Sequence, residues 1–103
     1  MGWKGVAYLP VQFFGSTSGK DKATLFRNRL GITLENKQVL ENALLTAARD
    51  LEAVVYKQDA YGTQYDIKFS ITTEVGSSLI LSCWIIRVAE DFPRLTNAYP
   101  VNK

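Results

Sequence analysis

The order of hydrophobic periods in this chain predicts an α+β fold: two N-terminal helices packed on one face of a four-stranded antiparallel meander. Three observations carry that expectation. Leu40, Ala43, Leu44, Ala47 and Leu51 recur at i, i+3, i+4 and i+7, the spacing of a helix that buries one face. Tyr65, Ile67, Phe69 and Ile71 then alternate with Asp66, Lys68, Ser70 and Thr72, the period of a half-buried strand. The connections between the later segments are too short for the crossovers a parallel sheet needs. At 103 residues and 47% hydrophobic composition the chain has enough apolar surface for one core. It divides into an irregular segment 1–18, a helical part 19–52 and an antiparallel sheet 53–100.

Each element has its own signals. Val6 to Phe14 is apolar, but Pro10 argues against a regular strand or a helix interior, and Gly15–Gly19 reads as a loop. Ser18 is a candidate cap for a first helix, which Asp21 favours at its positive end. Ala23, Phe26 and Leu30 fall at helical spacing, and Gly31 suits the C-terminal cap. Thr33 caps the second helix, which presents Glu41, Asn42, Arg49 and Asp50 to water. Ala53–Lys57 reads as a strand, Asp59–Gly62 as a turn, and Val75–Ser78 as a hairpin turn. Leu79 to Val88 is apolar on both faces and reads as a central strand. Glu90–Pro93 turns the chain into a closing strand, Arg94–Tyr99. Strict alternation in that strand puts Arg94, Thr96 and Ala98 on one side and Leu95, Asn97 and Tyr99 on the other.

Composition excludes several functions. The chain has no histidine and one cysteine, so neither a Ser-His-Asp nor a Cys-His arrangement has a base, and a zinc site lacks ligands. Cys83, inside an apolar run, reads as a buried inert thiol. No phosphate loop of the nucleotide-binding type is present, and the carboxylates are scattered rather than paired. No cofactor or metal is expected. The N-terminus lacks the pattern of a signal peptide and no apolar run approaches a membrane span, so a cytoplasmic protein without membrane contact is expected. The net charge is only +2, but residues 1–58 hold eight Lys/Arg against five Asp/Glu. Lys20, Lys22, Arg27 and Arg29 concentrate that excess, as a solvated helix face or a phosphate-facing one.

The remaining chemistry belongs to Lys, Arg, Tyr and Thr. RNA can be cleaved by its own 2′-hydroxyl, provided that groups move two protons and neutralise charge on the phosphorane. Arg94 is the candidate bidentate phosphate clamp and Thr96 a hydroxyl donor to the same oxygen. Tyr99, Tyr65 or Tyr61 are candidates for proton transfer, and Lys20 or Lys22 for charge. Trp3, Tyr61, Tyr65, Trp84 and Tyr99 can stack on unpaired bases if one exposed face gathers them, although Trp84 sits where a core residue belongs. The same tail can also simply close the sheet of a protein-interaction or dimerisation module.

One resemblance bears on this choice. The succession Gly19-Lys20-Asp21-Lys22-Ala23, Phe26-Arg27, Leu30-Gly31, Tyr61-Gly62-Thr63, Tyr65, Trp84-Ile85-Ile86 and Pro93–Pro100 is similar to an uncharacterised bacterial domain family. That family is found alone and at the C-termini of polymorphic toxins, and the similarity spans roughly residues 17–100. The family in turn resembles the barnase, EndoU, colicin and RelE group of metal-independent ribonucleases. The resemblance implies helices before an antiparallel sheet, cleavage of RNA by transesterification, and an immunity or antitoxin protein as partner. It implies catalytic roles for Arg94, Thr96, Tyr99, Lys22 and Tyr65, and RNA contacts by Lys20, Arg27, Tyr61 and Asn97. Asn97 stands where other members carry the Thr of a Thr-Ala-Tyr-Pro sequence, which implies a weakened copy if that hydroxyl is catalytic.

Overall fold

A computed structural model describes residues 3, 7–9 and 20–101, with side chains described from Ala23 onward in the first helix. Helix α1 spans Lys20–Leu30 and helix α2 spans Gln38–Asp50. Four strands follow: β1 Val54–Asp59, β2 Gly62–Thr72, β3 Ser77–Arg87 and β4 Arg94–Val101. They pair in sequence order, β1-β2-β3-β4, with every ladder antiparallel. The expected α+β arrangement, helices first and meander second, is therefore the one observed. The cap expected at Ser18 and the loop 15–19 lie outside the described residues.

Local chemistry explains the boundaries. Gly31 ends α1 with φ +69°, a left-handed conformation suited to glycine, and its N–H bonds the Arg27 carbonyl at 2.9 Å. A β-carbon there would also meet Val75 Cγ2 at 2.6 Å, so the β2–β3 turn sits directly on the helix end. Thr73 fixes the same junction, its hydroxyl donating to the Leu30 carbonyl at 2.7 Å. Thr33 does not cap α2 itself. It forms a capping box with Asn36 around a short 3₁₀ turn, Leu34–Asn36, that precedes α2.

The core lies between the helices and one face of the sheet. Phe26, Leu30 and Ile32 meet Leu40, Leu44, Ala47 and Ala48 of α2, above Ile67, Phe69, Ile71, Ile80, Trp84, Leu95 and Ala98. Ala48 joins this core, whereas Leu51, at the end of the expected stripe, is 39% exposed because it follows the last helical turn. One polar thread runs through the apolar layer. Trp84 Nε1–H donates to Ser82 Oγ at 2.9 Å, and Ser82 donates to the Ile67 carbonyl at 2.8 Å. Both side chains are fully buried, and the thread leaves neither unsatisfied. Trp3 packs edge-on to Trp84 and Tyr65. Ala7–Leu9 lie along β4, with Tyr8 bridged in parallel to Arg94.

The strict alternation expected in β4 is broken. The β3–β4 register shifts by one residue between Cys83, opposite Asn97, and Trp84, opposite Leu95, leaving Thr96 as the extra residue of a bulge. Ala98 is consequently buried on the side of Leu95, while Asn97 and Tyr99 share the side of Arg94. One inserted residue reverses the face of everything after it, because the side-chain period is two.

Candidate functional site on the open face of the sheet

The sheet has a second face that the two helices do not cover. Register alone builds it. Asp66 lies opposite Cys83, and Cys83 opposite Asn97, so a carboxylate, a thiol and a carboxamide form one row across three strands. The next row runs Lys68, Leu81, Tyr99, and the one on the other side Gln64, Ile85, Arg94. Tyr56, the bulge residue of β1, is 68% exposed beside these rows.

Tyr99 is a titratable group that this setting shifts. Partial burial holds its phenol above the ordinary value of 10.0, and Cys83, Asp66 and Tyr56 push in the same direction. Such a phenol keeps its proton at neutral pH and acts as a donor. Cys83 is half-exposed on this face rather than buried, because the odd-numbered residues of β3 face away from the helices.

Arg94 occupies a corner of the face, and its guanidinium is already engaged. Nε and Nη2 donate to the two carboxylate oxygens of Glu90 at 2.9 and 2.8 Å, and the group lies between the rings of Tyr8 and Phe92 at 4.8 and 4.9 Å. That hydrogen-bonded pair holds the Glu90 carboxyl below its ordinary 4.5 and raises the Arg94 guanidinium further. Glu90 therefore takes the fork that a phosphate clamp requires. Arg94 ties the turn before β4 to the start of the strand and to Tyr8.

The other expected site residues are distributed around the fold. Thr96 is exposed at the bulge, its hydroxyl donating to the Cys83 carbonyl at 3.1 Å. Asn97 accepts the Ala98 N–H at 3.0 Å. Tyr65 lies on the opposite face, beside Trp84 and edge-on to Trp3 with ring centres 5.2 Å apart. Tyr61 stands at the β1–β2 turn, 79% exposed, and Arg27 is exposed on α1. Lys20 and Lys22 open α1, but their side chains lie outside the described residues.

The structure thus gathers Arg94, Asn97 and Tyr99 on one face and does not bring Tyr65 to it. Asp66, Lys68 and Tyr56 join that face without having been singled out. The first two were visible as the polar half of an alternating strand, a pattern that equally describes plain solvent exposure. Among the described residues no group of three or more His, Cys, Asp or Glu could hold a metal ion, and no described helix is long and apolar enough to cross a membrane.

Comparison with known proteins places the chain in a family. The model of the family described as Domain of unknown function (DUF6883) matches residues 11–102, and the chain belongs to that family. No curated protein and no solved structure matches.

Proposed function

We propose, for a member of a family that brings no assigned activity, that the open sheet face acts on RNA as a metal-independent, ribonuclease-like surface. The observation that carries this reading is the bulge at Thr96, which turns Asn97 and Tyr99 onto the same face as Asp66, Cys83 and Lys68. In it, the RNA 2′-oxygen attacks phosphorus and the 5′-oxygen leaves, giving a 2′,3′-cyclic phosphate. Asp66 accepts the proton of the 2′-hydroxyl. Tyr99, kept protonated by its surroundings, donates to the leaving oxygen. Lys68 and Asn97 contact phosphate oxygens, and exposed Tyr56 offers a stacking surface for a base. Arg94 is assigned a positioning role through Glu90, not a phosphate contact. In a toxin setting, this is the surface an immunity or antitoxin protein would block.

RNA incubated with the protein in EDTA tests the reading. Cleavage to 2′,3′-cyclic ends is expected, with Asp66→Asn and Tyr99→Phe each lowering the rate by about 10²-fold. Intact RNA at high protein concentration overturns the proposal. So do variants that cleave as fast as the parent chain.

A second reading, a non-catalytic interaction or dimerisation module, is favoured by one observation. Leu79, Leu81 and Ile85 run half-exposed down the centre of the same face. Its signature is concentration-dependent self-association weakened by changing Leu81.

A further inference from the structure

Among the described residues the sheet has three stretches of strand edge, and two of them are blunted. The outer edge of β1 is broken by the bulge at Tyr56. On β4, the Tyr8 segment occupies part of the edge, with Leu95 N–H donating to the Tyr8 carbonyl at 2.9 Å. Further along β4, Pro100 lies opposite Ile80. Because the Tyr8-bonded Leu95 and the buried Ala98 and Pro100 alternate on one side, the proline replaces an N–H that would have pointed outward.

The third stretch is different. β1 stops at Val54, opposite Asp66, whereas β2 continues to Thr72. The orientation of the exposed groups follows from the ladder. Val88 N–H bonds the Tyr61 carbonyl at 3.1 Å and Thr73 N–H bonds the Gly76 carbonyl at 2.8 Å. Odd-numbered residues of β2 therefore exchange hydrogen bonds with β3, and even-numbered ones face the other way. Gly62, Gln64 and Asp66 meet β1. Lys68, Ser70 and Thr72 present their N–H and C=O groups where no described strand pairs with them.

A groove of about 420 Å³ adjoins this stretch, between α2 and β2, with an apolar floor of Ala43, Ala47, Leu51 and Phe69 and a rim that includes Asn42 and Asp50. A regular row of unpaired backbone groups recognises one chemistry, the backbone of another extended segment. The groove beneath it accepts the side chains that such a segment turns toward the core face. A second copy of the chain fits less well. Pairing two β2 edges about Ser70 brings the partner's β1 against the turn 73–76, whereas a short peptide prolongs the line of β1 and meets no described strand.

We propose that the Lys68–Thr72 edge of β2 is a docking site for an extended peptide segment of a protein partner, added as a strand in line with β1. Its alternate apolar side chains enter the groove against Phe69 and Ala43. The docking site uses the backbone edge of Lys68 and the groove on the helix side, whereas the RNA reading uses the Lys68 side chain on the open face. The docking proposal therefore stands whether or not the chain cleaves RNA.

Amide hydrogen exchange on the full chain tests it, with a capped synthetic peptide of alternating threonine and valine as probe. In the free chain, the Lys68, Ser70 and Thr72 amides exchange much faster than those of Ile67, Phe69 and Ile71. Peptide at millimolar concentration slows the three edge amides by about tenfold or more. A peptide N-methylated at alternate positions does not. Ala43→Glu, at a half-buried helix position on the groove floor, puts charge into the groove and removes the protection, with circular dichroism checking that the helices are retained. The proposal is overturned by edge amides already protected in the free chain, by protection that rises with protein concentration alone, or by equal protection by the N-methylated peptide. Absence of any protection by the unmodified peptide overturns it as well.

Discussion

The two faces of this sheet are made by the same strands and differ in where their polar groups find partners. On the covered face the polar atoms of Trp84 and Ser82 close a thread onto the Ile67 carbonyl, inside a layer of Leu, Ile and Phe. On the open face Asp66, Lys68, Cys83, Asn97 and Tyr99 stand in rows that neither α1 nor α2 covers. A buried polar group without a partner is costly, so the covered face fixes each one within the chain. The open face is not under that constraint. Its polar side chains lie at the surface, within reach of a ligand.

Substitutions at paired positions test how far that contrast holds. The largest effect is expected at Trp84. Trp84→Ala removes the largest fully buried side chain and the donor to Ser82, and denaturant unfolding should show a loss of about 3–5 kcal/mol. A cost near 1 kcal/mol would mean that the thread and the covered face are not the organising core.

The Arg94–Glu90 pair, at the border of the two faces, gives an intermediate effect that depends on pH. Glu90 has a folded value below its ordinary 4.5, so its contribution is present above that pH and is lost as pH falls through the folded value. Urea midpoints of the parent chain and Glu90→Gln should therefore differ at neutral pH and converge in acid. A constant difference across the range would remove the ion pair from the explanation of how β4 is held.

The smallest effect is expected on the open face. Leu81 lies opposite both Lys68 and Tyr99, and Leu81→Thr should cost about 1 kcal/mol or less. A core-sized loss, or one that depends on protein concentration, would show that something covers this face and would favour the interaction-module reading.

Much of the architecture was legible because burial imprints periodicity. The α2 stripe and the alternation from Tyr65 to Thr72 each have one physical cause, a face that must leave water, and each appears where expected. The site was less legible. Arg94 was recognisable as a residue with a specific task, but its partner Glu90 and the flanking rings of Tyr8 and Phe92 come from a turn and a segment far away in sequence. Asp66 and Lys68 carried no local mark beyond polarity.

The sequence by itself determined the helices, the meander, the core face of β2 and, apart from Ala48 and Leu51, that of α2, because those depend on local period and on short connections. Only the tertiary structure decided the face of each residue after Thr96, since a bulge is a property of two paired strands and not of one. It likewise decided that β1 covers half of β2 and leaves Lys68 to Thr72 at an edge. Strand length is written along the chain, but pairing is settled only when a second strand lies beside it.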